Sequence, residues 1–343
     1  MKKTVVVLLV LVLAAAGAFA QTFTQFQSAF SGVAKGVSDS LALESSVGLA
    51  WSDAWVGQLA DVPPHFGIGV TTGAALIPYA SIQNALTTFS GAIPSSVSFI
   101  SSFGMPLPTY TVEVRLGGFL LPFDIGLKGG WIPSNGLSSL GVSGISVDYL
   151  TLGGDFRLGI IQDRGFLPGL SLGVGYTYLR GSVDVPGVFS GPINVTSISY
   201  GGNTYDVRFT DPSLNFNWSS SVIDAKLQLS KTLLFITPFA GVGASYGFSN
   251  AGGGMQAQMQ VQKNGLGYHA ATQQDIDDLN AATGSSYTLQ NQGFGVTQAT
   301  NGFSFRAFGG LSINIFFLKI GVGAEYEFVT GNLAGMANVR FQL

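Results

Sequence analysis

The chain has 343 residues, a formal net charge of −3 and no cysteine. Charged residues make up 10% of the chain, against about 25% in an average soluble domain, and the mean hydropathy is +0.39. This composition argues against an ordinary soluble domain. It also argues against a disulfide framework and a nucleic-acid-binding surface.

The first twenty residues have the pattern of a secretory signal peptide. Lys2 and Lys3 precede an apolar run that ends in Ala18-Phe19-Ala20, which matches a basic region, a hydrophobic region and a small-residue cleavage site. We expect residues 1–20 to be removed, with an uncleaved membrane anchor as the alternative. No later stretch reaches the ~20 apolar residues that a membrane-spanning helix needs.

Residues 21–62 form the next segment, and its first half predicts an amphipathic helix. Phe23, Phe26, Phe30 and Val33 recur at helical spacing and give the helix one apolar face. A short helix of this kind needs an apolar partner. Two partners remain open: the lumen of a barrel, which the segment would plug, or the periplasmic rim.

Residues 63–343 contain ten segments in which apolar and polar residues alternate with the period of a β-strand. The parity changes upstream of Ser220, which predicts a β-bulge near that residue. The ten alternating segments are 66–70, 110–117, 125–130, 150–158, 170–178, 214–229, 242–248, 303–315, 318–328 and 337–343.

The connections between these segments alternate between short and long, with one exception at TGNLAG, residues 330–335. Outer-membrane barrels have short periplasmic turns, longer outer loops and an even number of strands. Because lipid forbids open sheet edges, a greasy chain without spanning helices is consistent with a closed barrel. The prediction is an all-β transmembrane antiparallel up-and-down barrel of about 10 strands (range 8–14) in the bacterial outer membrane, with the bilayer as its partner.

Charged residues in the strands share the parity opposite to the apolar rows, so we expect them to line the lumen. Their signs are nearly balanced, which fits either a salt-bridged filling or a narrow polar pore. The predicted lumen residues are Glu113, Arg115, Lys128, Asp155, Arg157, Asp224, Lys226, Arg306, Lys319, Glu325, Glu327 and Arg340.

Large aromatic residues cluster at the strand ends next to the long loops, where an interfacial girdle is expected. The predicted girdle residues are Tyr110, Trp131, Tyr178, Trp218, Tyr246 and Tyr326.

The signal peptide, the alternating strands and the last strand, ANVRFQL, make the chain resemble bacterial outer-membrane β-barrel proteins. That resemblance implies insertion by the outer-membrane machinery, although the chain ends in Leu343 rather than an aromatic residue. The phrase GGFLLPFDIGLKGG is similar to treponeme-type spirochaete barrels. The N-terminal segment resembles, in topology, that of the long-chain fatty-acid channels.

Catalytic chemistry is not indicated by the sequence. The two histidines are His65 and His269, and HAATQQDIDD around His269 matches no metal-ligand spacing. We therefore predict a monomer that is not an enzyme and has no metal or cofactor. The expected function is passage of small solutes. The alternatives are uptake of hydrophobic molecules through a plugged barrel, and a structural or adhesive role of the loops.

Overall fold

The structure is a computed structural model. The predicted signal peptide lies outside the residues it describes, as do the side chains of Phe23, Phe26 and Phe30. The described residues are 23–57, 65–81, 83, 104–118, 121–132, 146–186, 192–283 and 293–343.

Twelve strands form one antiparallel sheet, and ten of them close into a barrel. β1 pairs with both β2 and β12, which closes the ring, while β6 and β9 extend β7 and β8 beyond it. The predicted fold class is therefore confirmed. The strands are β1 (Phe66–Ile77), β2 (Met105–Gly117), β3 (Phe123–Ile132), β4 (Ser146–Ile161), β5 (Gly169–Pro186), β6 (Ile193–Tyr200), β7 (Asn203–Ser230), β8 (Ile236–Lys263), β9 (His269–Ala270), β10 (Gly293–Ile315), β11 (Leu318–Glu327) and β12 (Leu333–Gln342).

The two ends of the barrel differ in their connections. The short connections β2–β3, β4–β5, β7–β8 and β10–β11 lie at one end, which we call the short-turn end. The long connections lie at the other, the long-loop end. β1 starts and β12 finishes at the short-turn end, where Gly67 pairs with Gln342.

Strand β2 shows how the alternation in sequence becomes two chemically different faces. Val112, Val114 and Leu116 are 41%, 39% and 59% exposed, whereas Glu113 and Arg115 are fully buried. Successive strand residues point to opposite faces. The apolar row therefore faces lipid and the charges face inward, which avoids the ~2–4 kcal/mol penalty of a cation on the lipid face at mid-bilayer.

The predicted bulge near Ser220 is wrong. β5 and β7 pair without interruption from Ser213 to Ser230, and the register shift in β7 lies between Thr210 and Ser213. Trp218 is 7% exposed, so its place in the outward-facing girdle is also wrong. Its ring lies over Gly181, where an added Cβ would be 2.3 Å from the ring.

The change of parity in β7 has a different cause. Near the long-loop end, the exposed Asn217 lies on the outer face while Trp218 is buried inside. The outer face has left the lipid there and the interior has become apolar. The pattern of apolar residues inverts because the surroundings invert while the backbone stays regular.

The remaining predicted girdle residues lie on the outer face at the expected end. Tyr110, Trp131, Tyr246 and Tyr326 are 40%, 66%, 43% and 43% exposed, and Tyr178 is half-buried.

Helix α1 (Phe23–Glu44) and the coil 45–57 that follows it lie within the ring of strands. Val37, Leu41 and Trp51 are at most 1% exposed. A second helix, α2 (Gln273–Thr283), follows β9 at the long-loop end. Among the described residues, neither helix is long and apolar enough to cross a membrane.

Candidate functional site

The segment formed by residues 31–57, called the lumen segment below, runs the length of the barrel interior. The Gln298 amide of β10, beyond the girdle, donates to the hydroxyl of Ser31 at 2.8 Å. At the other end, the backbone N–H of Val56 donates to Asp124 at 2.6 Å, beside the β2–β3 turn. The chain therefore enters at the long-loop end, descends through the lumen and reaches β1 at the short-turn end.

A tight turn converts the helix into the coil. Gly48 and Leu49 have φ values of 88° and 58°, in the left-handed region that ends many helices. A Cβ at Gly48 would lie 2.8 Å from the Thr111 hydroxyl. Glycine therefore suits this position for two reasons: the left-handed backbone conformation and the lack of space for a side chain.

The wall of the barrel binds the backbone of the coil rather than its side chains alone. Polar side chains of the wall donate to a series of backbone carbonyl oxygens. These oxygens lie outside any helix and therefore need hydrogen-bond partners. The donors and acceptors are Lys128 to Ser45 and Val47, Arg115 to Leu49, Gln228 to Trp51, Arg157 to Asp53, and Ser171 to Ala54, at 2.5–3.2 Å.

Asp53 joins the segment to two cations of the wall. Its carboxylate is fully buried and accepts from Lys319 Nζ at 2.8 and 2.9 Å and from Arg340 Nη2 at 3.1 Å. Charge-assisted hydrogen bonds of this kind are the strong ones, particularly where water is excluded. Asp53 was not among the residues that the sequence pointed to.

Trp51 anchors the same stretch. Its indole N–H donates to Glu113 at 2.5 Å, and the guanidinium groups of Arg115 and Arg340 lie 5.5 and 5.2 Å from the ring. Cations at this distance are attracted to the ring face. Gly67 makes room for the ring, because an added Cβ there would be 2.5 Å from it.

Charged side chains of the wall form a network of ion pairs around the coil. Asp124 joins Arg115 and Arg157 at 2.5 and 2.7 Å, and Asp155 joins Arg115 and Lys226 at 2.7 and 2.8 Å. Asp124 is another residue that sequence reasoning missed. It is four positions from Lys128 on β3 and therefore on the same face of the strand, so the alternation could have identified it.

A second network surrounds Arg306, which pairs with Asp224 at 2.7 Å and Glu325 at 2.9 Å. Glu325 also accepts from the Ser46 hydroxyl at 2.6 Å.

The predicted lumen residues all lie on the inner face of the wall; Asp224 and Lys226 are half-buried and the others are buried. Glu327 has a different task from the rest, because its carboxylate accepts from the backbone N–H groups of Val329 and Thr330 and so caps the β11–β12 turn.

Helix α1 is held in a different manner. Its small and apolar residues Ala34, Val37 and Leu41 are buried, and it packs mainly against β8 and β10. Val33 is half-buried. The wall contributes the hydrogen bonds Gln298 to Ser31, Thr300 to Asp39, Asn332 to Ser40 and Thr109 to Glu44, at 2.8–3.0 Å.

A small cavity of about 30 Å³ lies below the end of α1, between the coil and the wall. That volume is enough to hold at least one water molecule. Its lining is charged with both signs, by Lys128, Asp155, Asp224, Lys226, Arg306 and Glu325.

The loop cluster around His269 is explained by helix capping. The Thr272 backbone N–H donates to Asp275 at 2.9 Å, and the Asp275 N–H lies 3.3 Å from the Thr272 hydroxyl, which is a reciprocal capping box. Burial opposes ionisation of Asp275, but the bonds from Thr272, followed by that from His269 at 3.1 Å, hold the pKa of its carboxyl below the usual value.

No group of three or more potential metal ligands is present among the described residues. His65, which precedes β1, lies against Gly57 at the short-turn end.

Comparison with known proteins gives a likeness of fold alone. No protein-family model matches the chain, and no curated protein matches its sequence. Solved structures do match, at low identity.

The outer membrane protease OmpT from Escherichia coli has 8% identity and a TM-score of 0.37, covering 82% of this chain and 98% of that chain. The translocator domain of autotransporter NalP from Neisseria meningitidis has 10% identity and a TM-score of 0.34, and the match covers 92% of this chain and 99% of that chain. Ail, the attachment invasion locus protein of Yersinia pestis, has 7% identity and a TM-score of 0.27, and the match covers 81% of this chain and 97% of that chain.

The predicted location is confirmed: the closed barrel with its apolar outer face is a bacterial outer-membrane β-barrel in a lipid bilayer. One prediction is corrected. The statement that the chain is not an enzyme is wrong as an exclusion, because a protease is among the barrels that match. The lack of a recognisable catalytic motif in the sequence therefore does not exclude catalysis.

Proposed function

We propose that the protein passes small solutes across the outer membrane, and that the lumen segment closes this passage in the state described above. In this proposal α1 is the part that moves and the coil 45–57 is the part that stays. The proposal keeps the expected monomer, the signal peptide of residues 1–20 and insertion by the outer-membrane machinery.

The observation that carries the proposal is the position of the polar cavity. It begins where α1 ends, at Ser45 and Ser46, and continues beside the coil along a wall of charged residues. A lumen lined by both signs of charge suits small hydrated solutes. Displacement of α1 would join this cavity to the long-loop end without breaking the contacts of the coil.

Uptake of hydrophobic molecules is the second candidate, and one observation favours it. The interior beside the end of α1 is apolar, with a cluster formed by Leu43, Val47, Ala50, Ala75, Ala334 and Met336. A hydrophobic solute could bind there once the helix moves. The ionic network below the cluster is the obstacle to this candidate, because an apolar solute would have to pass it.

Removal of α1 tests the proposal. Deletion of residues 21–43 leaves the coil and every strand in place, so we expect a barrel that assembles and carries more current in a planar bilayer than the full chain. The helix is about 10 Å across, so its loss opens the upper lumen.

Heat-modifiable gel migration reports assembly of the shortened chain, and Lys35→Ala serves as a control that keeps the helix. An assembled barrel with unchanged current and a lower melting temperature would mean that α1 only fills space. Entry of a long-chain fluorescent lipid, rather than current, would favour the hydrophobic candidate.

A further inference from the structure

At the short-turn end of the lumen wall, two cations form no ion pair with a carboxylate of the wall among the described residues. Four cations lie there: Arg115, Arg157, Lys319 and Arg340. Asp124 pairs with the first two, while the ion pairs of Lys319 and Arg340 among the described residues are with Asp53 of the lumen segment.

Arg340 has neutral partners in addition. Its guanidinium donates to the side-chain oxygens of Asn338 at 3.0 Å and Gln342 at 3.1 Å, so those bonds fix its position without neutralising its charge. Lys319 Nζ contacts both oxygens of Asp53. Two fixed cations therefore converge on one carboxylate that belongs to another part of the chain.

We infer that Lys319 and Arg340 form a binding site for a small carboxylate, and that Asp53 occupies this site in cis. The Asp53 side chain stands where the acid group of a ligand such as formate or acetate would lie, with one ammonium and one guanidinium as its donors. The inference does not depend on the proposed function, in which the coil, and Asp53 with it, stays in place.

The coil is attached to the wall by contacts other than the Asp53 carboxylate, so the carboxylate position can be a ligand site. Gln228 and Arg157 hold the backbone oxygens of residues 51–53, and the backbone N–H of Ala54 donates to Ser230 at 2.8 Å. The coil therefore keeps several attachments that do not involve the Asp53 carboxylate. Shortening this one side chain should leave a hole of carboxylate shape lined by two cations.

The test is chemical rescue of Asp53→Ala in the full chain. In chloride, the variant should melt below the wild type. In formate or acetate at equal ionic strength, its melting temperature should rise by about 2–4 °C more than that of the wild type does, which is the range for a ligand that occupies an empty site several-fold above its Kd. Above the Kd, the rise should grow with the logarithm of the carboxylate concentration, and benzoate should not reproduce it.

The matched control is Asp53→Ala with Lys319→Gln, which removes one of the two cations and should lose the rescue. If Asp53→Ala does not fold in chloride, the yield of folded barrel in formate becomes the measurement, and recovery supports the site. Equal behaviour in formate and chloride, or an equal rise in the wild type, would overturn the inference. Bilayer current does not enter this test, so it can fail while the proposed passage stands.

Discussion

The two parts of the lumen segment lie in the same barrel but are held by different forces. Helix α1 presents small and apolar side chains to β8 and β10, and the wall adds a few side-chain hydrogen bonds. The coil 45–57 is fixed by buried cations and amides that bind its carbonyl oxygens, and by the ion pairs of Asp53. A helix satisfies its own backbone, whereas a coil must obtain its partners from the wall.

This difference sets how easily each part can move. At a net ~0.5–1.5 kcal/mol per hydrogen bond, and more for charged groups, release of the coil would cost on the order of 10 kcal/mol. The helix would lose about four wall hydrogen bonds and apolar contacts that lipid or loops can partly replace. The helix is therefore the better candidate for a gate.

The largest expected effect comes from locking each part with a disulfide, which is unambiguous in a chain without cysteine. A Cβ at Gly247 would lie 3.4 Å from the Ala42 Cβ, close to the spacing of a disulfide. Ala42→Cys with Gly247→Cys should abolish the current in planar bilayers under oxidising conditions, and reductant should restore it.

The coil offers the matched lock. The hydroxyl oxygens of Ser52 and Ser312 are 2.7 Å apart, so cysteines there can also join. Ser52→Cys with Ser312→Cys should leave the current unchanged in either redox state. If the coil lock abolishes current as well, the whole segment moves. If neither lock has an effect, solutes pass without movement of α1.

The next effect in size is the stability lost with a buried charge. Asp53→Ala leaves Lys319 and Arg340 buried without a counterion, and removal of one partner of a buried pair costs about 3–5 kcal/mol. Asp39→Ala in α1 removes a pair with the exposed Lys35 and should cost about 0–1 kcal/mol. Urea unfolding in detergent, in chloride buffer, measures the free energy of unfolding of both variants. Equal losses would contradict the contrast between helix and coil.

The smallest effect concerns the packing of Trp51. Gly67→Ala would place a methyl group 2.5 Å from the ring and should lower the free energy of unfolding by about 1–3 kcal/mol. Gly335→Ala on β12 is the control, because nothing lies within 4 Å of its added Cβ. Melting curves should separate the two variants, and a stable Gly67→Ala would show that the ring is free to shift.

The strands were predictable because lipid enforces a strict rule on every second residue. Glu113 and Arg115 could be placed inside from their neighbours Val112, Val114 and Leu116 alone. The rule fails where lipid ends, which is why Trp218 was assigned to the wrong face. Its surroundings near the long-loop end invert the preference for apolar residues.

The coil could not be predicted in the same way. Residues 45–57 have no periodic pattern, and their partners lie far away in sequence, as with Asp53 and Lys319, which are 266 positions apart. Nothing local in the stretch LAWSDAWVG distinguishes a lumen contact from a rim contact. Only the closed ring brings Gln228, Arg157 and Arg340 around these carbonyl groups.

The direction of the lumen segment constrains the order in which the protein assembles. The segment enters at the long-loop end and continues into β1, whose partner β12 is the last strand of the chain. Once that pair has formed, the ring of strands is continuous. A helix threaded through it from the short-turn end would have to pass Arg115 and Arg340, the cations that surround Trp51. We therefore expect the β1–β12 seam to close last, around a segment that is already inside.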